Sequence, residues 1–218
     1  MLRGREKEMD FSAELLQLDG VLDVLSDKWP SQSDERDRKT RFIYRYYSYY
    51  FLIKNKEYIE LSESMKQYAL HRWYNRRASE ICEDIFIRYG AERATFKQDT
   101  EEHTDIYINN VPFDVKVTAK REIEYDLSSI EGKNKMIQEL YNEQSREQRL
   151  DYNNRLFVLC DNQRLKQAFY TIEEKISEYM EQLRDSGYAF NELEVVIKDK
   201  NGVVTSKSIV KADIIYIS

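Results

Sequence analysis

Cysteine, histidine, proline and glycine are all scarce in this chain of 218 residues, which holds two, two, two and six of them. The two cysteines, Cys82 and Cys160, lie far apart and form no Cys-x-x-Cys pair. With so few histidines, this pattern argues against a structural zinc site and predicts two buried thiols in a reducing compartment. The scarcity of glycine and proline also argues against long flexible linkers.

Long hydrophobic runs and an excess of basic charge are missing too. No apolar stretch approaches the length of a membrane span, and no hydrophobic segment follows the charged start MLRGREKEMD. We therefore predict a cytoplasmic protein with neither a signal peptide nor a membrane partner. The net charge of −6 gives no general attraction for nucleic acid, although a basic groove on an acidic protein is compatible with it.

Two runs of strand-forming residues flank a predicted turn in the middle of the chain. Ile106–Ile108 and Val111–Val117 are rich in β-branched and aromatic residues, and Asn109-Asn110 lies between them. Asparagine tolerates positive φ, so the pattern predicts a two-residue hairpin turn. The register that follows pairs Ile106 with Phe113, Tyr107 with Pro112, and Ile108 with Val111.

The predicted register brings two carboxylates and a lysine onto one face of the hairpin. Asp105 would lie opposite Asp114, and Lys116 would share their face, whereas the alternate residues would form core. Opposed carboxylates repel each other, and a hard divalent cation such as Mg²⁺ would turn that repulsion into binding. Lys116 would then orient an attacking water or neutralise charge on a phosphate. A half-exposed hairpin with ordinary charged outward residues is the alternative interpretation.

This pattern resembles the PD-(D/E)xK nuclease superfamily, whose members share the restriction-endonuclease-like fold. Asp105 stands for the first Asp of the motif. Asp114-Val115-Lys116 stands for the acidic residue, the variable residue and the lysine that follow on the next strand. Thr104 precedes Asp105 at the position where many members have proline.

The same family usually carries a glutamate on the helix before these strands, roughly ten residues ahead of a glycine. Glu80 lies ten residues before Gly90 and fits that place. On an ideal helical wheel Glu80 points away from the apolar stripe of its helix, beside Asp84 and Glu83, which argues against it because a ligand must face the sheet. Glu83 is the alternative ligand. The stretch that resembles the family covers about Arg77 to Cys160.

The resemblance implies a three-layer α/β core, with a mixed sheet flanked by helices, and Mg²⁺-dependent cleavage of DNA, with Mn²⁺ as an alternative cation. Asp105 and Asp114 would hold the metal, and Glu80 would bind it directly or through water. The carbonyl of Val115 would be a further ligand, and Lys116 would position the nucleophilic water. Such a nuclease would serve restriction, phage defence or DNA repair.

A helical N-terminal region, residues 1–61, is predicted to precede the nuclease domain, residues 62–218. An amphipathic pattern predicts a helix from about Asp10 to Ser26, and a polar segment from Asp27 to Lys39 follows it. The next stretch, RKTRFIYRYYSYYFLIK, interleaves basic residues with seven aromatics. Such a stretch is typical either of a stacking platform for single-stranded nucleic acid or of a buried helix, and we favour the buried helix.

Periodicity and local signals place the remaining elements. Leu156–Cys160 is a continuous apolar run, typical of a strand buried on both faces. Ser128 followed by Glu131 is typical of a capping box at a helix N-terminus. The other predicted elements are one long helix or two over Ser62–Gly90, helices ending near Tyr152 and Gly187, and strands over Ala94–Gln98, Leu193–Lys198 and Ser208–Ile217.

The function predicted from these observations is metal-dependent endonucleolytic hydrolysis of DNA. The alternative is a non-catalytic, nuclease-like module that contacts nucleic acid or a protein partner. A purely structural α+β protein is a third interpretation. A homodimer, or a protein partner bound through the N-terminal helical region, is compatible with each of them.

Overall fold

The structure, a computed structural model, describes residues 18, 20–21, 23–26, 31, 33–94, 104–120, 123–145, 153–161, 165–198 and 203–217. Backbone contacts divide the chain into two compact units, Met1–Ile81 and Cys82–Ser218. The division falls inside a helix, later in the chain than the predicted boundary between residues 61 and 62. Within the described ranges, no helix is long and apolar enough to cross a membrane.

Short helices follow one another in the first unit, where the sequence favours one buried helix. Phe42, Ile43 and Leu52 are buried, but four of the seven aromatic side chains of this stretch are exposed. The prediction of a buried helix is therefore wrong here. Most of the predicted helix over residues 10–26 lies outside the described residues. The elements are α-helices over Asp34–Lys39, Tyr49–Ile53 and Lys56–Ile59, and a 3₁₀ helix over Arg41–Arg45.

One continuous long helix, Glu63–Arg88, forms where the sequence predicts one helix or two. The helix ends two residues before Gly90, whose φ of +106° is a conformation that glycine adopts without steric cost. The Ala91 N–H donates to the Phe86 carbonyl at 3.0 Å and satisfies one of the last carbonyls of the helix. The buried positions of its C-terminal half recur at three- and four-residue spacing, as one-sided packing requires: Ala78, Ile81, Cys82, Ile85 and Phe86.

Six strands form one mixed sheet in the second unit. They are β1 (Glu92–Arg93), β2 (Ile106–Ile108), β3 (Val111–Lys120), β4 (Arg155–Asp161), β5 (Glu192–Lys198) and β6 (Val204–Ile217). Their order in the sheet is β1-β2-β3-β4-β6-β5. The pairs β3–β4 and β4–β6 are parallel, and the other neighbouring pairs are antiparallel. The predicted α/β class with a mixed sheet is confirmed.

Helices cover both faces of this sheet around the buried strand β4. The whole run Leu156–Cys160 is inaccessible to solvent, as its continuous apolar sequence predicts. Phe157 and Leu159 pack against the helix Ile130–Ser145. The intervening residues of β4 point to the opposite face, where the helix Leu165–Asp185 and the end of the long helix lie. There the rings of Phe86 and Tyr179 meet edge to face, with centroids 6.5 Å apart.

The helix Ile130–Ser145 begins one residue later than the predicted capping box implies. Ser129, and not Ser128, caps it, because the Ser129 hydroxyl accepts the Gly132 N–H at 3.0 Å. Glu131 pairs instead with Lys135 at 2.7 Å. A Cβ at Gly132 would lie 2.0 Å from the Asp126 carbonyl oxygen, so this turn requires glycine.

The two predicted C-terminal strands are present as β5 and β6, which pair antiparallel. The turn predicted between them, Asp199–Gly202, lies outside the described residues. Of the strand predicted over Ala94–Gln98, only Ala94 lies within the described residues. It directly follows the end of β1 at Arg93 and is not part of that strand.

Candidate functional site

The hairpin that joins β2 to β3 has the turn and the register that the sequence predicts. Asn109 and Asn110 both adopt positive φ, +48° and +62°, which is the geometry of a type I′ turn. All three predicted pairs are present in the ladder, from Ile108 opposite Val111 to Ile106 opposite Phe113. The side chains of Phe113 and Val115 are buried, as predicted for the core face.

Asp105 lies just before β2 and does not continue the ladder as a strand residue. Its N–H donates to the Phe113 carbonyl at 2.9 Å, so the backbone stays beside the last ladder pair. Its carboxylate Oδ2 accepts the Val115 N–H at 2.8 Å. The side chain of Asp105 therefore satisfies a backbone donor of β3 that lies beyond the end of β2, and this contact holds the carboxylate against β3.

Asp114, on β3, is the most buried acidic side chain of this region, with 3% of its surface exposed. Its Oδ1 lies 2.5 Å from the Lys116 Nζ, and its Oδ2 lies 3.3 Å from the Arg155 Nε. Lys116 is partly exposed, whereas Arg155 is buried and lies 4.8 Å above the ring of Tyr141. One carboxylate thus holds two cations, one at the protein surface and one in the interior.

The pKa of the Asp105 carboxyl group is strongly raised. Burial, the Glu83 carboxylate and the Asp114 carboxylate together raise the pKa of Asp105 to about 8. The Val115 N–H opposes this rise, because it stabilises the ionised form. A carboxyl group with such a pKa readily binds a positive charge, which is either a proton or a metal cation.

Glu83, the alternative to the favoured candidate Glu80, is the helical glutamate that acts on Asp105. Glu83 acts on the pKa of Asp105 and lies 3.5 Å from the Arg93 Nη1 of β1. Glu80 pairs with two arginines of its own helix, with Arg77 and with the Arg76 Nε at 3.3 Å. The spacing to Gly90 does not distinguish Glu83 from Glu80, and the helical wheel places both off the apolar stripe.

Two residues that support the site escape the motif-based prediction. Arg155 begins the buried strand β4 and pairs with Asp114, its register partner on β3. Asn154 accepts the Asp114 N–H through its main-chain carbonyl at 3.0 Å, and its side-chain amide donates to the Pro112 carbonyl at 3.0 Å. The sequence contains one indication of this contact: Arg155 directly precedes the apolar run Leu156–Cys160, and an arginine buried there needs an anionic partner.

The donor set fits a cation that keeps part of its water shell. Across the described part of the chain, no group of three or more His, Cys, Asp and Glu side chains is arranged to enclose a metal ion. Two close carboxylates are enough for Mg²⁺ when water and phosphate oxygens complete its octahedron. Asp105 and Asp114 supply two such oxygen ligands, and burial together with the Glu83 and Asp114 carboxylates raises the pKa of Asp105.

The chain matches no model of a known protein family, no curated protein and no solved structure. The candidate site therefore rests on the geometry and chemistry of this chain.

Proposed function

We propose that this protein is a metal-dependent nuclease that hydrolyses DNA phosphodiester bonds with Mg²⁺ or Mn²⁺. The observation that carries the proposal is the pair of carboxylates, the half-buried Asp105 and the buried Asp114, held together beside the amine of Lys116. Two acids and a lysine at one strand end are what phosphodiester hydrolysis needs: anionic ligands for a cation and a positive group for the phosphate.

In this proposal Asp105 and Asp114 hold the cation, and the Val115 carbonyl is a further ligand. The N–H and the C=O of a strand residue point the same way, and the Val115 N–H points at the Asp105 carboxylate. The Val115 carbonyl is therefore directed to the same side as Asp105. Glu83 replaces Glu80 as the helical carboxylate and would act through water.

Lys116 is the group that changes partner when the site is loaded. Its amine neutralises Asp114 at 2.5 Å, and the side chain is 38% exposed, so it can reach a phosphate or a water at the surface. A bound cation would supply a coordinated water of lowered pKa and would stabilise charge on the phosphate. Arg155 stays with Asp114 in the interior and holds the orientation of that carboxylate.

The order of elements supports membership in the PD-(D/E)xK superfamily as part of this proposal. A long helix precedes three antiparallel strands, and a helix then leads to a strand parallel to β3. That order is compatible with a restriction-endonuclease-like core. Restriction, phage defence and DNA repair are the processes in which we would expect such an enzyme.

A non-catalytic, nuclease-like module is the second candidate, and the geometry of Asp114 favours it. Both oxygens of this carboxylate already contact cationic side chains of the protein, Lys116 and Arg155. The two carboxylates, Asp105 and Asp114, and the two cations, Lys116 and Arg155, already balance in charge without any metal. The two candidates differ in what a divalent cation does to the protein and to DNA.

The test is a cleavage assay on plasmid, linear duplex and single-stranded DNA, each with Mg²⁺, with Mn²⁺ and with EDTA. We expect metal-dependent cutting that Lys116→Ala reduces by about a hundredfold or more, because a charge-stabilising group is lost. Lys207→Ala, which removes an exposed lysine of β6, is the matched control and should cut normally. Asp114→Asn should also abolish cutting, with folding checked by circular dichroism. Absence of cutting of every substrate with both cations would contradict the proposal.

A further inference from the structure

A stretch of the first unit has a charge opposite to that of the chain as a whole. Residues 38–56 contain six lysines and arginines and no acidic residue, in a chain whose net charge is −6. Acidic side chains from outside the stretch pair with three of the six cations, Lys39 with Glu35, Arg45 with Glu57, and Lys56 with Glu60. The surface formed by this stretch is therefore locally cationic.

Four aromatic side chains of the same stretch are exposed. Tyr47 and Phe51 expose 67% and 63% of their surfaces, and Tyr44 and Tyr50 each expose about half. Large aromatic groups gathered on a surface usually mark a place where something binds. We call these four residues, together with Arg41 and Lys54, the aromatic–basic surface.

Arginines of the long helix support the tyrosine rings from below. The Arg76 guanidinium carbon lies 5.4 Å from the ring centroids of both Tyr44 and Tyr47. Arg72 adds a contact at 5.5 Å and a hydrogen bond of 3.1 Å to the Tyr44 hydroxyl. Arg77 also contacts the Tyr47 ring at 5.2 Å, and these contacts fix the orientation of rings that stay more than half exposed.

The second half of the surface combines an aromatic pair with a lysine. The rings of Tyr50 and Phe51 meet edge to face with centroids 5.4 Å apart. The Lys54 Nζ lies 4.0 Å from the centroid of the Tyr50 ring. The ammonium group thus lies over one face of the Tyr50 ring, a cation–π contact that holds a positive charge next to the aromatic pair.

We propose that the aromatic–basic surface binds single-stranded nucleic acid, with bases stacked on Tyr47 and Phe51 and phosphates held by Arg41 and Lys54. Residue composition favours this occupant over a protein partner. Lysine is depleted in protein interfaces, although tyrosine and arginine are enriched there, and the stretch over residues 38–56 holds three lysines. This proposal does not rest on the proposed cleavage activity, because the residues and the chemistry are different.

The test is fluorescence anisotropy of the full chain with labelled oligothymidylate, oligouridylate and a duplex of equal length, all in EDTA. We expect the single strands to bind tighter than the duplex by about tenfold, because only unpaired bases offer open faces for stacking. Tyr47→Ala and Phe51→Ala should each weaken binding by about five- to a hundredfold. Tyr47→Phe should retain binding, since stacking needs the ring and not the hydroxyl. Whether the DNA or the RNA strand binds tighter tells which nucleic acid the surface prefers.

The salt dependence of the same titration reports on the phosphate contacts. The slope of log Kd against log salt should fall by about 0.7 in Arg41→Gln and again in Lys54→Gln, one unit of counterion release for each lost contact. Ile209→Ala removes an exposed apolar side chain from β6 and is the matched control, with no expected change in Kd. Lys207→Gln removes an exposed lysine of β6 that belongs to neither site, and it should leave both Kd and the salt slope unchanged.

Two results would overturn the inference. One is the absence of binding to any single-stranded probe at low salt; self-association of the chain that is lost in Phe51→Ala would then identify the surface as a protein interface. The other is binding that Tyr47→Ala and Phe51→Ala leave unchanged, because stacking on these rings would then contribute nothing.

Discussion

Asp105 has two roles that make opposite demands on its charge. Its carboxylate accepts the Val115 N–H, and that hydrogen bond favours the ionised form. Burial and the carboxylates of Glu83 and Asp114 favour the protonated form and prevail, which raises the pKa of Asp105 to about 8. An uncharged amide at this position would also accept the Val115 N–H, so the hydrogen bond alone does not require an ionisable side chain.

The substitution Asp105→Asn should therefore stabilise the protein at alkaline pH in the absence of metal. The pKa of Asp105 is about 8 in the folded chain against an ordinary value of 3.8, so the folded state binds the proton more tightly. The stability that this proton contributes is complete below about pH 4 and is lost as the pH rises to about 8. The wild type should lose up to about 1.4 kcal/mol per pH unit across that window relative to Asp105→Asn.

Urea unfolding of both proteins between about pH 4 and pH 9, in EDTA, measures this difference. The amide of the Asp105→Asn variant keeps an acceptor for the Val115 N–H, so the comparison isolates the charge. Glu194→Gln, at an exposed carboxylate of β5, should show no such trend. Equal pH dependence of the wild type and Asp105→Asn would show that Asp105 ionises as readily in the folded chain as in the unfolded one.

At this scale the sequence indicates the members of the site that follow from local spacing and misses those that depend on packing. Asp105, Asp114 and Lys116 belong to one hairpin, so a turn and a period of two residues are enough to bring them together. Arg155 lies 41 residues from Asp114, and only the parallel pairing of β3 with β4 makes them neighbours. Glu83 rather than Glu80 follows from the rotation of a helix about its axis, which spacing to a glycine does not determine.

The hairpin turn is the element on which the site geometry depends. Both turn residues adopt positive φ, and the turn fixes the register that ends beside Asp105. A valine side chain at position 110 would be strained at a φ of +62°, because its branched Cβ is crowded in the left-handed region.

Asn110→Val should therefore destabilise the protein by about 1–3 kcal/mol, and Asn110→Gly should leave its stability unchanged or raise it slightly. Chemical denaturation of the two variants beside the wild type provides the measurement, with glycine as the matched control at the same position. If valine and glycine gave the same stability, the turn would not be of type I′ in solution.

Element types follow from the sequence wherever one periodicity holds over the whole element. The apolar run of β4 and the three- and four-residue spacing in the long helix predict those elements well. The aromatic stretch before Lys56 fails for the opposite reason: its aromatics occur at nearly every position, so no period separates an inner face from an outer one. The stretch contains cations and exposed tyrosines. A single buried helix would have to remove these side chains from water, whereas short helical segments leave them exposed.

At the scale of the molecule, each compact unit carries one candidate site with its own chemistry. The second unit has a pair of close carboxylates in a mixed sheet covered by helices, and the first has a cationic surface with exposed rings. A chain with a net charge of −6 would be repelled by nucleic acid unless its positive charge were concentrated in one place. The stretch over residues 38–56 provides that concentration.

The most direct test of the account is thermal unfolding near pH 8 with Mg²⁺, with Mn²⁺ and with EDTA, for the wild type and for Asp105→Asn. A cation that binds only the folded state raises its stability, by about 2.7 kcal/mol at a hundredfold excess over Kd. We predict that both cations raise the Tm of the wild type by several degrees and leave that of Asp105→Asn unchanged. An unchanged Tm of the wild type at millimolar concentrations of both cations would contradict the claim that the Asp105–Asp114 pair binds a metal.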